Sequence, residues 1–304
     1  MEIRLHLGAH RTGTTRLQQE LRRRADHLET RGIAVAWPLQ LRPETDWGFA
    51  ALACLPVLGR HVSCETVRRL AATRAAALAR GRRRLVISEE NYAGGIDRMV
   101  RRGVLYPDIA ARAALLAPPF RDDPLTVLFS VRGYAGMFAS LYAQMARRRP
   151  APGFDRLKPR MLALPRRWPA ILAELAAAFP QAQVLVWPFE DMPGNGLQAV
   201  RLLLGERDVA AVDEDLPAVY SSPTAPAIAR LNRMRRPEER TRAARRAVIA
   251  AFPPGEHPPF RPWTENERAA LDAAYAEDLA ALRRAPPANL RLVGLAQQPE
   301  ARHG

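Results

Sequence analysis

Apolar and polar residues alternate over residues 2–7, a pattern that is typical of a β-strand. Leu17, Leu21 and Leu28 then recur at helical spacing within residues 15–28. The stretch between the two patterns holds glycines and hydroxyl residues and has no apolar period. The start of the chain therefore predicts a strand, a loop and a helix.

Further strands and helices alternate along the chain. The segments 84–88 and 125–131 are almost continuously apolar, which is typical of parallel strands covered on both faces. Shorter strands are predicted at 33–37 and 183–187, and helices are predicted over 64–80, 134–149, 168–179 and 264–284. Because strands alternate with helices, the pattern predicts an α/β fold with an open, parallel central sheet flanked by helices.

The domain organisation follows from length and from the absence of linker-like segments. A chain of 304 residues can form one large α/β domain or two small ones. After residue 197 the pattern is helical with proline-rich interruptions, and no stretch resembles a flexible linker. We predict a single domain over residues 1–284 with a helical C-terminal part, an irregular excursion over 39–62, and a loosely ordered tail over 285–304.

The charge of the chain says little about which ligands or partners it binds. The formal net charge is +15, but the basic residues are nearly all arginine, with Lys158 the only lysine, and they are spread over many segments. This pattern indicates a compositional bias and a phosphorylated or polyanionic ligand, and it does not specifically indicate nucleic acid. No apolar run reaches the roughly 18 residues of a membrane span, and Met1 leads directly into the first strand, so we expect a cytoplasmic protein without a signal peptide or transmembrane segment.

The loop after the first strand has the residues that an anion requires. Gly8 ends the strand, Gly13 follows five residues later, and Thr14 and Thr15 open the helix. Backbone amides at such a helix start face a phosphate. A nucleotide-hydrolysing P-loop carries a lysine directly after its second glycine, whereas this chain has Thr14 there and places its basic residue at Arg11. A glycine turn without a ligand is the alternative interpretation.

The order of the basic residue and the second glycine resembles a known family. Gly8, Ala9, His10, Arg11, Thr12, Gly13, Thr14 and Thr15 are similar to the 5′-phosphosulfate loop of bacterial sulfotransferases, whose usual form is G-x-x-K-[TS]-G-[TS]-[TS]. The resemblance implies a P-loop-like fold in which this loop, including Gly8, His10, Thr12, Gly13, Thr14 and Thr15, binds 3′-phosphoadenosine 5′-phosphosulfate without a metal. It also implies that Arg11, at the family's lysine position, contacts the bridging oxygen as sulfonate leaves.

A second match concerns the 3′-phosphate of that donor. Arg132 ends the predicted strand 125–131, and Ser140 follows eight residues later on the next helix, which is similar in spacing to the 3′-phosphate ligands of sulfotransferases. Arginine forms charge-assisted bonds with phosphate oxygens, and a serine hydroxyl adds another. The segment 220–223 is similar to a late segment of bacterial sulfotransferase-like proteins and could approach the nucleotide from the other side.

Sulfonate transfer also needs a group that removes the acceptor's proton. Glu89 and Glu90 follow the strand 84–88, at the strand end where ligands of open α/β sheets bind. Neighbouring carboxylates on an extended segment point to opposite sides, so only one of them can face the cofactor. The segment resembles the glutamate-containing strand end of bacterial and carbohydrate sulfotransferases, which implies that Glu90, whose position fits the family spacing better, is the base, with Glu89 in reserve. The alternative is that both are surface acids. His10 could instead shape the loop, and His6 is interpreted as a strand residue with a structural partner.

These observations predict a sulfotransferase that moves sulfonate from 3′-phosphoadenosine 5′-phosphosulfate to a hydroxyl or amine. The resemblance is compatible with a glycan, a lipid or a small metabolite as acceptor, and with any oligomeric state. Two other functions remain open. One is a catalytically silent, sulfotransferase-like nucleotide-binding protein, because arginine replaces the family lysine. The other is a small-molecule kinase, which the missing Gly-Lys step disfavours.

Overall fold

The computed structural model describes residues 1–41, 61–193, 195–205, 222–234, 236, 239 and 241–295. Six strands of this part form one parallel sheet with the order β2-β3-β1-β4-β5-β6. The strands are β1 (Glu2–His6), β2 (Ile33–Ala36), β3 (Arg84–Ser88), β4 (Leu125–Val131), β5 (Gln183–Pro188) and β6 (Leu290–Leu292). The predicted α/β fold with a central parallel sheet flanked by helices is confirmed.

Helices connect the strands and continue through the C-terminal part. They are α1 (Thr14–Arg23), α2 (Ala25–Thr30), α3 (Pro38–Leu41), α4 (His61–Ala79), α5 (Ile96–Arg102), α6 (Ile109–Leu116), α7 (Tyr134–Arg148), α8 (Phe154–Leu162), α9 (Trp168–Ala178), α10 (Gly196–Leu204), α11 (Ala225–Arg233), α12 (Arg242–Ala250) and α13 (Glu265–Arg284). None of these described helices is long and apolar enough to cross a membrane.

Alternate side chains of the strands enter two hydrophobic clusters. Leu85 and Ile87 of β3 belong to the larger cluster, whereas Val86 between them belongs to the smaller one. On β4, Phe129 and its neighbour Leu128 divide in the same way. Residues of α7 and α9 lie in the larger cluster, and residues of α1 and α10 lie in the smaller one. The sheet is thus covered on both faces, which explains its continuously apolar strands.

The position of β1 determines where a ligand can bind. β1 pairs with β3 on one side and with β4 on the other, and all three strands run in the same direction. After β1 the chain forms β2 and β3 on one side of β1, and it then crosses to form β4, β5 and β6 on the other side. The strand order therefore reverses at β1. In open α/β sheets such a reversal opens a crevice at the carboxyl ends of the strands. The residues that follow β1, β3 and β4 meet there.

Several predicted elements need correction. The helix predicted over 15–28 is two helices, α1 and α2, separated at Arg24. Helices α5, α6 and α8 were not predicted. The loosely ordered tail predicted from residue 285 is wrong over Leu290–Leu292, because this segment pairs with β5 as the edge strand β6. Most of the predicted excursion over 39–62, and residues 296–304 of the tail, lie outside the described residues.

Candidate active site

The loop after β1 is held between two strands by its own backbone. The amide of Ala9 donates to the carbonyl of Ser130 at 3.1 Å, and the amide of Ser130 donates to the carbonyl of Gly8 at 2.6 Å. Gly8 has φ 113° and Gly13 has φ 78°, a left-handed region that favours glycine. A Cβ at Gly8 would also lie only 3.2 Å from the Cβ of Glu90. The first glycine therefore permits both the turn and the close approach of Glu90.

The amide groups at the end of this loop are available to an anion. Among the described residues, the amides of Gly13, Thr14 and Thr15 donate to no protein acceptor. They stand at the N-terminus of the ten-residue helix α1, where the helix dipole also favours negative charge. We call these three residues the amide cradle. Their geometry suits a phosphate or phosphosulfate oxygen.

The loop hydroxyls mostly stabilise the loop itself. Thr12 Oγ1 donates to the carbonyl of Ala9 at 2.7 Å, and Thr14 Oγ1 donates to the same carbonyl at 3.0 Å. Both threonine side chains are buried. Thr12 and Thr14 thus contribute loop shape, and Thr14 contributes its amide to the cradle.

Arg11 reaches away from its own loop to a helix and to a second chain segment. Its Nε donates to Ser140 Oγ on α7 at 2.7 Å, and its Nη2 donates to Ser222 Oγ at 3.2 Å. Burial, together with the positive charges of Arg147, Arg132 and Arg148, lowers the pKa of Arg11 to about 10. The guanidinium therefore lies in an electropositive, partly buried environment.

Arg132 fixes the backbone of Arg11. Its Nη1 donates to the Arg11 carbonyl at 2.5 Å, and its guanidinium carbon lies 4.5 Å from the centre of the Phe189 ring. Arg11 has φ 62°, an unfavourable conformation for a residue with a Cβ, so this anchor holds a strained position. Burial lowers the pKa of Arg132 as well. The predicted pair of Arg132 and Ser140 is thus joined through Arg11, which bonds to both.

The two adjacent glutamates have different surroundings. Glu89 is 1% exposed, and its Oε1 accepts from the amide and from Nδ2 of Asn91 at 3.0 and 2.6 Å, which caps the short helix Glu90–Tyr92. Glu90 is partly exposed beside Gly8, and its Oε2 accepts from Gln18 Nε2 at 2.8 Å. Glu89 therefore has a structural position, and Glu90 is the carboxylate that lies next to the loop.

Both histidines near the loop are buried. His10 Nδ1 lies 3.1 Å from Tyr106 Oη, and His10 Nε2 lies 3.2 Å from Asn91 Oδ1. Both ring nitrogens therefore have partners within the protein, as expected for a residue that shapes the loop. His6 Nδ1 lies 2.8 Å from Ser88 Oγ, as expected for a strand histidine with a structural partner.

Sequence reasoning missed two contributors. Gln18 is one α1 turn beyond the cradle and orients Glu90, but a glutamine on an amphipathic helix carries no signal of such a role. Ser222 was included only as part of a weak resemblance over 220–223, and its contact with Arg11 depends on tertiary structure. Residues 220 and 221 of that segment lie outside the described residues.

No protein-family model matches the chain, and a search of the curated proteins finds no match. Within the described residues, no cluster of three or more histidine, cysteine, aspartate or glutamate side chains could hold a metal ion.

Proposed function

We propose that this protein is a sulfotransferase that moves sulfonate from 3′-phosphoadenosine 5′-phosphosulfate to a hydroxyl or amine. One observation carries the proposal. The amide cradle, the arginines Arg11 and Arg132 and the carboxylate of Glu90 converge at the carboxyl ends of β1, β3 and β4. This edge therefore combines anion-binding groups with a base, as sulfonate transfer from a nucleotide requires.

The donor fits this edge through its two phosphate positions. The 5′-phosphosulfate suits the amide cradle, because amides at a helix start stabilise the charge that develops on the leaving phosphate. The 3′-phosphate needs a second cationic site, and the arginines around Ser140 supply one. Because the base must lie next to the attacking atom of the acceptor, the acceptor would bind beside Glu90.

The reaction proceeds in line in this proposal. The acceptor oxygen or nitrogen attacks sulfur, and the bond between sulfur and the bridging oxygen of the 5′-phosphate breaks. The leaving 3′-phosphoadenosine 5′-phosphate takes the bonding electron pair, and the acceptor's proton passes to the Glu90 carboxylate. Gln18 Nε2 donates to Glu90 Oε2 and so orients the carboxylate beside the loop.

Nucleotide binding is the first test of the proposal. Calorimetry with the purified protein should detect binding of 3′-phosphoadenosine 5′-phosphate without added metal. ATP with magnesium is the comparison ligand, because the kinase alternative requires it. Magnesium-dependent turnover of ATP, or no binding of the 3′-phosphorylated nucleotide, would overturn the proposal.

Glu90→Gln tests the assignment of the base. The variant keeps the size of the side chain and its contact with Gln18 but cannot accept a proton. We expect donor turnover, measured as release of 3′-phosphoadenosine 5′-phosphate with mixtures of hydroxyl and amine acceptors, to fall by about 100-fold or more. Nucleotide affinity should stay near that of the wild type. Glu265→Gln, at an exposed position on α13, is the matched control and should keep full turnover.

The silent nucleotide-binding protein remains the second candidate because of a specific contact. Arg11 stands at the family's lysine position, but its guanidinium bonds to Ser140 and Ser222. A protein that binds the donor through this arrangement without transferring sulfonate would bind nucleotide in the first test and show no turnover in wild type or in Glu90→Gln.

A further inference from the structure

Tyr106 lies between α5 and α6, and its buried side chain reaches the loop that follows β1. Its ring packs edge-on against Phe129 of β4, with 5.5 Å between the ring centres, and its centre lies 6.1 Å from that of the Trp168 ring. Its backbone has φ 44°, a left-handed conformation that is unfavourable for a residue with a Cβ and that persists only where the surroundings hold it. The packing therefore gives the Tyr106 hydroxyl a fixed position beside the loop.

This hydroxyl holds one peptide unit of the loop. The amide of His10 donates to Tyr106 Oη at 2.7 Å. The carbonyl of the same peptide unit belongs to Ala9, and it accepts from Oγ1 of Thr12 at 2.7 Å and from Oγ1 of Thr14 at 3.0 Å. Because the N–H and the C=O of a peptide unit lie in one plane, rotation of this unit would break the hydrogen bonds at both ends. Tyr106 therefore acts on Thr12, and on Thr14 of the amide cradle, through one rigid group.

The same hydroxyl determines which ring nitrogen of His10 carries the proton. His10 Nδ1 lies 3.1 Å from Tyr106 Oη. This oxygen already accepts from the His10 amide, and Nδ1 is the one acceptor for its proton in the part of the chain that the structure describes. Burial raises the pKa of Tyr106, so the hydroxyl keeps that proton. Nδ1 therefore accepts a hydrogen bond, and the neutral imidazole carries its proton on Nε2.

A buried carboxylate ends this chain of hydrogen bonds. His10 Nε2 lies 3.2 Å from Asn91 Oδ1, and Asn91 Nδ2 donates to Glu89 Oε1 at 2.6 Å. The carboxylate orients the Asn91 amide so that its oxygen faces the proton on His10 Nε2. From the His10 amide to Glu89, each proton is donated in the same direction, and hydrogen bonds in such a chain strengthen one another. Tyr106, His10, Asn91 and Glu89 are each no more than 5% exposed, so water does not compete for these bonds.

We infer that Tyr106, His10, Asn91 and Glu89 are positioning residues that hold the loop in its anion-binding shape. In this role Glu89 accepts hydrogen bonds and not the proton of an acceptor. It also connects the end of β3, where Glu90 lies, to the loop. The inference rests on the proposed function, because it takes the bound anion to be the 5′-phosphosulfate of the donor.

Tyr106→Phe is the principal test, because it keeps the packed ring and removes only the hydroxyl. Calorimetry with 3′-phosphoadenosine 5′-phosphate and with inorganic pyrophosphate measures the affinity of the loop for anions. We expect both affinities to fall about tenfold. Tyr142→Phe is the matched control, since Tyr142 is also buried and its hydroxyl donates to the carbonyl of Pro152 at 2.8 Å. The control should lower Tm to a similar extent and keep the wild-type affinities.

Further variants distinguish positioning from a general effect on stability. Thr12→Val removes a hydroxyl at the other end of the same peptide unit, so the affinity lost in the double variant with Tyr106→Phe should be smaller than the product of the two single losses. Single losses that simply multiply would contradict this mechanism. His10→Gln retains a donor for Asn91 and an acceptor for Tyr106 and should stay within about threefold of the wild-type affinity, whereas His10→Leu should lose about tenfold. The two His10 variants also carry the test if Tyr106→Phe does not fold.

The outcomes separate the inference from the proposed function. Wild-type affinities in both Tyr106→Phe and His10→Leu would overturn the inference and leave the proposed function standing. Binding of pyrophosphate without binding of the nucleotide would overturn the proposed function, while the variants would still test the inference against pyrophosphate. A wild type that binds neither ligand would overturn both. Nitrogen-15 NMR of the histidine side chains tests the hydrogen-bond chain without a ligand, and a proton on Nδ1 of His10 would overturn it.

Discussion

The imidazole of His6 is fully buried inside the sheet. It lies 2.8 Å from Ser88 Oγ and stacks on the Trp187 ring, with 5.8 Å between the ring centres. Burial lowers the pKa of His6 from 6.5 to about 4, against the smaller opposing effect of a hydrogen bond with the backbone of Gly8. The neutral imidazole therefore stabilises the end of β1, from which the loop begins, and its protonation would disturb the packing beneath the loop.

This environment predicts an acid-sensitive stability. Because the pKa is lower in the folded state than in the unfolded state, the unfolded chain binds more protons between pH 6.5 and 4, and stability falls as the pH falls through that range. The shift in the pKa of His6 can lower the free energy of unfolding by at most about 3 kcal/mol. Urea unfolding at several pH values should show this slope in the wild type, and His6→Gln, which does not titrate, should flatten it. His27→Gln, at an exposed position, should keep the slope. An unchanged slope in His6→Gln would show that other groups cause the loss.

At the scale of single residues, the sequence predicted which residues meet but not all of their contacts. Glu89 and Glu90 were expected on opposite sides of an extended segment, and one is buried as a cap while the other lies by the loop. The contact between Arg11 and Ser140 was not predicted, because the direction of a long side chain depends on the positions of α7 and of Ser222.

Gly136 on helix α7 leaves space for the side chain of Arg132. A Cβ added at Gly136 would lie 3.2 Å from Nε and 3.3 Å from Nη2 of Arg132. The guanidinium of Arg132 therefore lies flat on the first turn of the helix, where it can reach the Arg11 carbonyl. A glycine inside a helix costs roughly 1 kcal/mol relative to alanine, so its presence here is explained by the arginine.

Gly136→Ala should therefore have opposite effects on stability and binding. The added methyl group favours the helix, and we expect the free energy of unfolding to change by no more than about 1 kcal/mol, in the stabilising direction. It also displaces Arg132, so affinity for 3′-phosphoadenosine 5′-phosphate should fall several-fold by calorimetry. Gly153→Ala is the control, because a Cβ there meets no atom within 4 Å. Equal affinity in Gly136→Ala and wild type would argue against a positioning role for Arg132.

The accuracy of element prediction followed the physical strength of each pattern. β3 and β4 have the predicted bounds, because a continuously apolar run between polar residues marks a buried strand clearly. Helix α5 has seven residues and lies between Gly95 and Gly103, which is too short for a helical period to appear. β6 has three residues, and its pairing with β5 is nonlocal, so no local pattern could reveal it.

The whole molecule uses much of its arginine for internal support. Arg4 donates to the carbonyls of Leu203 and Leu202 at 2.9 and 2.7 Å, and Arg84 donates to the carbonyl of Leu204 at 2.8 Å, so both cap the end of α10. The buried Arg245 donates to the carbonyl of Ala146 near the end of α7. These contacts agree with the interpretation of the net charge as a compositional bias. The arginines around Arg11 differ from these, because the positive charges of Arg147, Arg132 and Arg148 act on Arg11 and lower its pKa.

The segment after α13 closes the far edge of the sheet. Val184 donates its amide to the carbonyl of Asn289 at 2.8 Å, and Val293 donates to the carbonyl of Val186 at 2.7 Å. Asn289 Nδ2 also lies within 3.1 Å of three carbonyls that follow or end α9. Leu290 and Leu295 are buried, one in each hydrophobic cluster. Residues 285–295 therefore connect both faces of the sheet across its edge.

Two truncations of the chain can measure this contribution. A chain that ends after Arg284 loses the burial of Leu290 and Leu295 and exposes the edge of β5, whereas a chain that ends after Leu295 keeps both. Because each buried leucine contributes about 2 kcal/mol, the shorter chain should be less stable than the longer one by about 4 kcal/mol in urea unfolding. The exposed edge should also promote aggregation, which light scattering would detect. Equal stability of the two chains would mean that the sheet is complete at β5 and that the domain ends at residue 284, as the sequence predicts.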